Sequence, residues 1–312
     1  MGLNATDTVI PLSTYPTRGS KVEYGTAHLL PGGQAATTVI ACQHWGMKTR
    51  YVGKIGDDDA GRLHRCEFAR AGVDAQMIEV AGCASRQSLI LVDGGESGNG
   101  ERTVLWRRDE RLDLAPQELR PAWIQAARAL HVDGYDTAAA ILAAGWARHA
   151  GVPVIADLDE LYPSVHDLLH LTDYAIVSRD FPLRLMAETD LETALQRMQQ
   201  RYACRLTAAT LGEDGVLAWD GDRFHYSAAY RVPVVDTTGA GDIFHAGFIY
   251  GLLAGWPLSK QLDFAGASAA LNCTAIGARG NIAPVSEILD LMQTGKRYPG
   301  VFENCAAASE AS

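Results

Sequence analysis

The 312-residue sequence predicts an α/β protein in three layers, with a central, mostly parallel sheet between helices and a small additional β-sheet. From about residue 129 onward, short β-rich runs alternate with helical runs, a pattern typical of βαβ units in a parallel sheet. Two other segments are β-rich and polar and lie outside this alternation. Apolar residues make up 47% of the chain, enough to bury the core of one large domain.

The predicted elements of the core follow one another in a regular order. Seven runs have the composition of strands: Ala129–Val132, Val152–Asp157, Tyr174–Ser178, Leu206–Leu211, Val216–Trp219, Arg223–Tyr226 and Val232–Asp236. Helices are predicted for the alanine-rich run Thr137–His149 and for an apolar run from about Ala240 to Ala254. Asp220-Gly221-Asp222 predicts a hairpin turn. Ligands of such sheets bind at the carboxyl ends of the strands, and the polar motifs below lie at those ends.

The two segments outside the alternation are Thr8–Leu30 and Ser85–Arg108. We expect them to form a small lid over one edge of the core, with a flexible glycine-rich turn at residues 94–100. Two ordinary surface hairpins are the alternative, and spacing alone does not separate the two interpretations. Residues 1–312 would then form a single domain, with a disordered tail from about residue 301 to 312.

Charge and composition argue against several classes of partner. The formal net charge of −10 disfavours nucleic acid, because nucleic-acid binders usually present a basic face. No run reaches the about 18 apolar residues that a membrane span needs, and the N-terminus lacks the features of a signal peptide. The six cysteines are scattered without CxxC spacing, as in proteins with reduced thiols. We therefore expect a cytoplasmic protein with neither nucleic-acid nor membrane partners.

Residues 235–248 are the most informative stretch, since a predicted strand ends there, small residues turn the chain and an apolar helix begins. Small residues let the backbone approach a ligand, and the free N–H groups of the first helical turn form an anion site. Asp242 lies in that turn, where the helix dipole favours its ionised form. A base beside an anion site suits phosphoryl transfer to an alcohol. The alternative is an aspartate that only caps the helix.

Three motifs together resemble those of the PfkB-type, ribokinase-like carbohydrate kinases. Residues 236–248 (DTTGAGDIFHAGF) are similar to the C-terminal signature of that family. Residues 32–37 (GGQAAT) and 53–61 (GKIGDDDAG) are similar to its first signature, and residues 210–215 (TLGEDG) to its nucleotide loop. The resemblance implies a ribokinase-like fold and transfer of a phosphoryl group from ATP to a sugar hydroxyl, with Mg²⁺ and K⁺ as ions.

The resemblance also implies a role for each matching position. Asp242 matches the catalytic base, which also contacts the sugar, and Gly239, Ala240 and Gly241 match the anion hole. The positions that match the sugar site are Asp7, Gly32, Gly33, Gln34 and Thr37. The positions that match the nucleotide site are Ser178, Thr210, Gly212, Gly215, Thr238, Asn272 and Gly277. Relatives often bind a monovalent cation beside the anion hole, which here corresponds to Asp236, Thr238, Ala275 and Gly280.

One departure from the family pattern concerns magnesium. Many relatives carry an Asn-x-x-Glu motif that organises magnesium and phosphate, whereas this sequence has Ser178-Arg179-Asp180-Phe181 there. Asp157 and Asp159, at the end of a predicted strand, are candidates for the missing negative charge, and solvated loop acids are the alternative. The missing motif also leaves open a regulatory protein that binds sugar without turnover.

The predicted acceptor is a ketohexose-like or pentose sugar, phosphorylated on a primary hydroxyl. Residues 85–93 and 102–109 resemble the lid strands of ketohexokinases and sulfofructose kinases, and such strands often carry a dimer interface, which suggests a homodimer. Lys21, Arg107 and Arg108 are candidates to meet an anionic substituent of the sugar, with solvated lid surface as the alternative.

The nearest rival is a nucleoside kinase of the same fold, for which Tyr15, Trp106 and Tyr135 are candidate aromatic platforms. A dinucleotide oxidoreductase is disfavoured, because no GxGxxG opens a helix after a strand, and no Walker GxxxxGK[ST] occurs.

Overall fold

The computed structural model describes residues 1–94 and 102–302. The described strands are β1 (Ala5–Leu12), β2 (His28–Gly32), β3 (Arg50–Gly56), β4 (Asp74–Val80), β5 (Gln87–Asp93), β6 (Arg102–Trp106), β7 (Leu130–Val132), β8 (Val154–Leu158), β9 (Tyr174–Ser178), β10 (Leu206–Thr210), β11 (Val216–Trp219) and β12 (Phe224–Ser227). The described α-helices are α1 (Gln34–His44), α2 (Asp59–Ala71), α3 (Pro121–Ile124), α4 (Thr137–His149), α5 (Val165–Leu169), α6 (Asp180–Met186), α7 (Leu191–Tyr202), α8 (Ala240–Leu253), α9 (Leu258–Asn272) and α10 (Val285–Thr294). None of these helices has both the length and the apolar character to cross a membrane.

The central sheet has six strands in the order β12-β11-β10-β9-β8-β7. Strands β7 to β10 are parallel, and the hairpin β11–β12 adds two antiparallel strands at one edge. Strand β8 is buried along its whole length, as expected when helices cover both faces of a parallel sheet. Two large apolar clusters cover those faces, one around α4 and the other around α8 and α9. The predicted fold class is confirmed.

A separate four-stranded sheet is formed by β1, β2, β5 and β6 in the order β2-β1-β5-β6. Strand β1 pairs antiparallel with β2 and parallel with β5, while β6 pairs antiparallel with β5. We call this unit the small sheet. It contains the strands of both predicted lid segments, and residues 13–27 between β1 and β2 form no strand. The proposed flexible turn at residues 95–100 and most of the proposed disordered tail, residues 303–312, lie outside the described residues.

Helix α8 carries Asp242 in its first turn and fixes its position. Nine of its 14 residues are buried, and packing against α1 and α9 holds it in the core. The predicted strand before it, Val232–Asp236, is wrong. Val234 and Val235 are 42% and 48% exposed, and the N–H of Val235 donates to the Cys273 carbonyl. The run has the composition of a strand but no neighbouring strand to pair with.

Candidate active site

The turn at residues 236–242, which we call the anion turn, joins the exposed valines to α8. Gly239 precedes the helix with φ of 76°, which strains any residue with a side chain. A Cβ there would lie 2.2 Å from the Ala278 carbonyl oxygen. The N–H groups of Gly241 and Asp242 have no intrahelical acceptor in this first turn, and no other described backbone group accepts from them. The turn can therefore hold an anion with its backbone.

The buried Asp236 carboxylate ties the anion turn to the loop 275–280, which we call the support loop. Its Oδ1 accepts from the Thr238 N–H at 2.8 Å and from the Thr238 hydroxyl at 2.7 Å. Its Oδ2 accepts from the Gly277 N–H at 2.8 Å. The Asn272 amide donates to the carbonyls of Thr238 and Ala278 at 3.3 and 3.2 Å. These bonds hold the anion turn in one geometry before a ligand binds.

Asp242 is a buried carboxylate that lines the main cavity, whose volume is about 1100 Å³. Burial raises the pKa of Asp242 to about 7, while the charge of Arg102 opposes this rise and Asp7 adds to it. The helix dipole favours the ionised form of Asp242, but burial outweighs that effect here. A carboxylate with a pKa near neutrality accepts a proton more readily than an ordinary aspartate does.

Three of the residues predicted to bind sugar, Gly32, Gly33 and Gln34, form a turn at the start of α1. We call it the sugar turn. Gly33 has φ of 95° and leaves no room for a side chain, since a Cβ would lie 2.5 Å from the Asn4 Cα. Asp7 lies on β1 beside this turn, and a Cβ on Gly32 would be 2.0 Å from its carboxylate Oδ2. Burial raises the pKa of Asp7 to about 6. Asp7, Gly33 and Gln34 line the same cavity as Asp242.

The predicted nucleotide residues reach the cavity from the other side. Ser178 and Thr210 end the neighbouring parallel strands β9 and β10, which places them at one edge of the sheet. Gly212 and Gly215 follow in the loop after β10, and all four residues line the cavity, as do Thr238 and the three anion-hole residues. The structure thus brings the motifs from distant parts of the sequence around one space.

Four residues predicted for the sugar or nucleotide site do not line the cavity: Gly32, Thr37, Asn272 and Gly277. Thr37 is fully buried, and its hydroxyl accepts from the Arg279 guanidinium at 3.2 Å. Asn272 and Gly277 instead support the anion turn: Asn272 donates to the Thr238 carbonyl and Gly277 donates to the Asp236 carboxylate. Ala275 and Gly280 of the predicted cation site are in contact in the support loop, where a Cβ on Gly280 would be 2.6 Å from the Ala275 carbonyl oxygen.

Asp157 and Asp159 both line the cavity at the end of β8. The buried Asp157 Oδ2 atom makes no hydrogen bond but lies 3.4 Å from His245 Nδ1, and burial together with the charge of Asp242 raises the pKa of Asp157. Among the described residues, His131, Asp157 and His245 have donor atoms within 4.8 Å of one another. Each ring nitrogen of His245 faces a backbone carbonyl oxygen, at 2.8 and 3.2 Å, so we assign no metal to this triad.

The small sheet contributes one cavity residue, Arg102, that the sequence analysis did not name, together with some of the cationic and aromatic residues that it did name. Arg102 of β6 lines the cavity and donates to the Thr237 hydroxyl at 2.9 Å. Of the predicted anion-binding residues, Arg107 lines the cavity, whereas Lys21 and Arg108 do not. Of the predicted aromatic platforms, Trp106 and Tyr135 line it in edge-to-face contact, and Tyr15 does not. The position of Arg102 was not predictable, because it depends on how the small sheet packs over the core.

Known proteins resemble this chain in sequence and in structure. The family model described as pfkB family carbohydrate kinase matches residues 5–284. A 5-dehydro-2-deoxygluconokinase of Geobacillus thermodenitrificans is 27% identical over 77% of this chain and 77% of its own length. A fructokinase of Klebsiella pneumoniae is 31% identical over 80% of this chain and 87% of its own. The crystal structure of a candidate ribokinase from Agrobacterium tumefaciens is 26% identical, with a TM-score of 0.85 and coverage of 94% of this chain and 95% of that one.

A family model that spans most of the chain, motifs in the family's order and a shared three-layer architecture all point the same way. The chain therefore belongs to the pfkB family of carbohydrate kinases and is a sugar kinase.

Proposed function

We propose that the protein transfers the γ-phosphoryl group of ATP to a primary hydroxyl of a ketohexose-like or pentose sugar, with Asp242 as the base. The observation that carries this proposal is the position of Asp242. Its buried carboxylate lies in the same helical turn as the free N–H groups of Gly241 and Asp242 and shares a cavity with the sugar turn. The names of the two relatives, a 5-dehydro-2-deoxygluconokinase and a fructokinase, support a keto sugar as the acceptor.

In the proposed reaction, Asp7 and Gln34 hold hydroxyl groups of the sugar, because a carboxylate accepts and an amide both donates and accepts. Asp242 takes the proton of the attacking sugar hydroxyl while the oxygen of that hydroxyl forms a bond to the γ-phosphorus. The bond from that phosphorus to the bridging oxygen of ADP breaks, and the electron pair stays on ADP. The free N–H groups of Gly241 and Asp242 stabilise the charge on the phosphoryl oxygens.

The nucleotide residues Ser178, Thr210, Gly212 and Gly215 would lie along ATP, with the phosphates directed toward the anion turn. The carboxylates of Asp157 and Asp159, which both line the cavity, would hold a magnesium ion through water and phosphate, because Mg²⁺ prefers oxygen ligands and retains several waters. When bound, that ion neutralises charge on the phosphates. Asp157→Asn should weaken Mg²⁺ binding in a titration of the ATP-free protein, and an unchanged affinity would exclude Asp157 as a holder of the ion.

Potassium dependence is a finer proposal for the support loop. Asp236, Thr238, Ala275 and Gly280 supply a carboxylate, a hydroxyl and backbone carbonyl groups around one end of the anion turn. A cation there would order the anion turn without contacting the sugar. We expect a several-fold faster rate in K⁺ than in Na⁺ at equal ionic strength, and identical rates would contradict the proposal.

We also propose a homodimer through the outer face of the small sheet. Leu29, Leu89 and Leu105 lie in one row across the sheet, because Leu29 and Leu89 both face Thr8 and Leu89 pairs with Leu105. They are 63%, 37% and 52% exposed, which is unusual for three adjacent leucines. Light scattering should give the mass of two chains, and Leu105→Glu should give one. A wild-type mass of one chain would exclude this dimer.

ADP release from Mg-ATP tests the function directly. The panel contains ketohexoses, pentoses, sugar acids and nucleosides, with potassium present. Turnover of one sugar class would support the proposal and name the acceptor, and preference for sugar acids would agree with Arg102 and Arg107 lining the cavity. We expect the reaction in the cytoplasm, where ATP is available.

The contact between Trp106 and Tyr135, with ring centroids 6.2 Å apart inside the cavity, favours a nucleoside kinase as the second candidate. Turnover of nucleosides alone would select that candidate. Measurable ATP and sugar binding without turnover would instead indicate the regulatory protein that the missing Asn-x-x-Glu motif left open.

A further inference from the structure

We propose that Arg279 is a positioning residue that sets the distance and orientation between the sugar turn and the anion turn. The inference rests on the proposed function, because it concerns how the acceptor is aligned with the transferred phosphoryl group. Arg279 does not line the cavity and its side chain is only 7% exposed, so its effect must pass through the residues that it contacts.

One end of this connection is the guanidinium group. Its Nε donates to the Thr37 hydroxyl at 3.2 Å, and Nη2 donates to the Gly32 carbonyl at 3.1 Å. Nη1 forms an ion pair with the carboxylate of Glu67. The three acceptors belong to α1, the sugar turn and α2. The fork of the guanidinium therefore holds the sugar turn from below with a geometry that a lysine cannot reproduce.

The other end is the backbone around Arg279. The Gly277 N–H donates to Asp236, and the Ala278 carbonyl accepts from Asn272 and packs against Gly239. Gly277 and Ala278 thus fix the support loop to the anion turn. Arg279 follows them directly in the chain and contacts the sugar turn. Each contact is buried, and this connection has few flexible bonds apart from those of the arginine side chain.

A direct bond between the two sides exists as well, since the Thr38 hydroxyl donates to the Asp242 carbonyl at 3.0 Å. The Thr38 hydroxyl also lies 3.0 Å from the Gln34 carbonyl, so its single proton is shared between α8 and the last residue of the sugar turn, whereas the Gly32 carbonyl takes its side-chain bond from Arg279. Without Arg279, the Gly32 carbonyl would lose a charged donor and the sugar turn could shift relative to Asp242. A displacement of about 1 Å between reacting groups can lower the rate about 100-fold.

The charge of Arg279 supplies a second readout. Burial raises the pKa values of Asp242 and Asp7, and Arg279 is among the groups that lower both of them. The other charges acting on Asp242 are those of Arg102, Asp7, Asp133 and the neighbouring Asp157. Removing the positive charge should therefore move the acidic limb of the kcat profile to higher pH, whereas a loss of packing alone should not.

The experiment compares wild type with Arg279→Met, Arg279→Lys and Glu67→Gln, using the sugar found in the substrate panel. Arg65→Met is the matched control, because Arg65 lies on the same helix as Glu67, has a side chain that is 42% exposed and, within residues 1–94 and 102–302, forms its ion pair with Glu79. We measure kcat, the KM values for sugar and ATP, the pH profile of kcat and the melting temperature.

For Arg279→Met we expect kcat to fall about 30–100-fold with little change in the KM for ATP, and the acidic limb to move upward. Arg279→Lys should keep the acidic limb in place and recover part of kcat, because it keeps the charge but not the fork. Glu67→Gln should lower kcat less, and Arg65→Met should not change it.

If Arg279→Met is folded and its kcat and pH profile match those of wild type, the inference is wrong. If that variant does not fold, Arg279→Lys and Glu67→Gln decide the question, and wild-type values of kcat in both would overturn it. Failure of the proposed function gives a different result, since wild type itself would then phosphorylate no sugar.

Discussion

Replacing Asp242 by asparagine tests the site through activity and stability together. Asparagine keeps the size of the side chain but cannot take the proton of a hydroxyl. We expect kcat to fall about 1000-fold, within the range of a lost general base. The expected gain in stability has a separate origin, because the protein buries a carboxylate that would be more stable in water.

The size of that gain follows from the pKa. The difference between an ordinary value of 3.8 and about 7 corresponds to a burial cost of about 4 kcal/mol for the charged form. The folded pKa is raised, so the protonated group contributes stability below pH 3.8, and this stability is lost as the pH rises through 7. The asparagine variant should therefore match wild type near pH 4 and exceed it at pH 8.5.

The expected advantage at pH 8.5 is about 2–4 kcal/mol, because the new amide hydrogens also need partners. That corresponds to a melting temperature about 3–6 °C higher. Thermal unfolding at both pH values and ADP release at pH 8 are the measurements. Glu287→Gln is the control, since it removes an exposed carboxylate from the first turn of another helix, α10. A variant with more than a tenth of the wild-type kcat would refute the base assignment, and an advantage independent of pH would refute the burial argument.

Three further changes test the support of the site. Gly239→Ala should abolish turnover and lower the free energy of unfolding by more than about 2 kcal/mol. The new Cβ would lie 2.2 Å from the Ala278 carbonyl oxygen, in a backbone conformation that strains any residue with a side chain. A folded, active variant would show that the anion turn adapts. Asp236→Asn should lower the free energy of unfolding, measured in urea, by about 1–3 kcal/mol, because one of the two carboxylate oxygens that accept from Thr238 and Gly277 is replaced by an amide nitrogen, which cannot accept. No change would mean that these bonds contribute little. Gly145→Ala in α4 should raise stability by about 0.5–1 kcal/mol without changing kcat, since nothing lies within 4 Å of the new Cβ, and a loss of stability would show hidden crowding.

Local sequence predicted much of this protein because its signals are short-range. The alternation of apolar runs predicted the central sheet, and the ranges Thr137–His149, Tyr174–Ser178 and Val216–Trp219 match the structure residue for residue. The turn of small residues before α8 indicated an anion site and a base, since the chemistry of a helix start depends on adjacent residues. The prediction of a strand at Val232–Asp236 was wrong for the opposite reason, because a strand needs a partner that composition does not supply.

Tertiary structure decided what depends on distant residues. Burial, which no local pattern reports, raises the pKa of Asp242 to about 7 where the helix dipole alone would lower it. Asn272 and Gly277 lie below the anion turn rather than along the cavity, because their hydrogen bonds to the anion turn hold them there. The charges of Arg102 and Arg279 act on Asp242, although these residues lie 140 and 37 positions away from it in the sequence. The sequence by itself determined the kind of chemistry, and packing determined which charges surround it, since electrostatic energy depends on distance and burial in space.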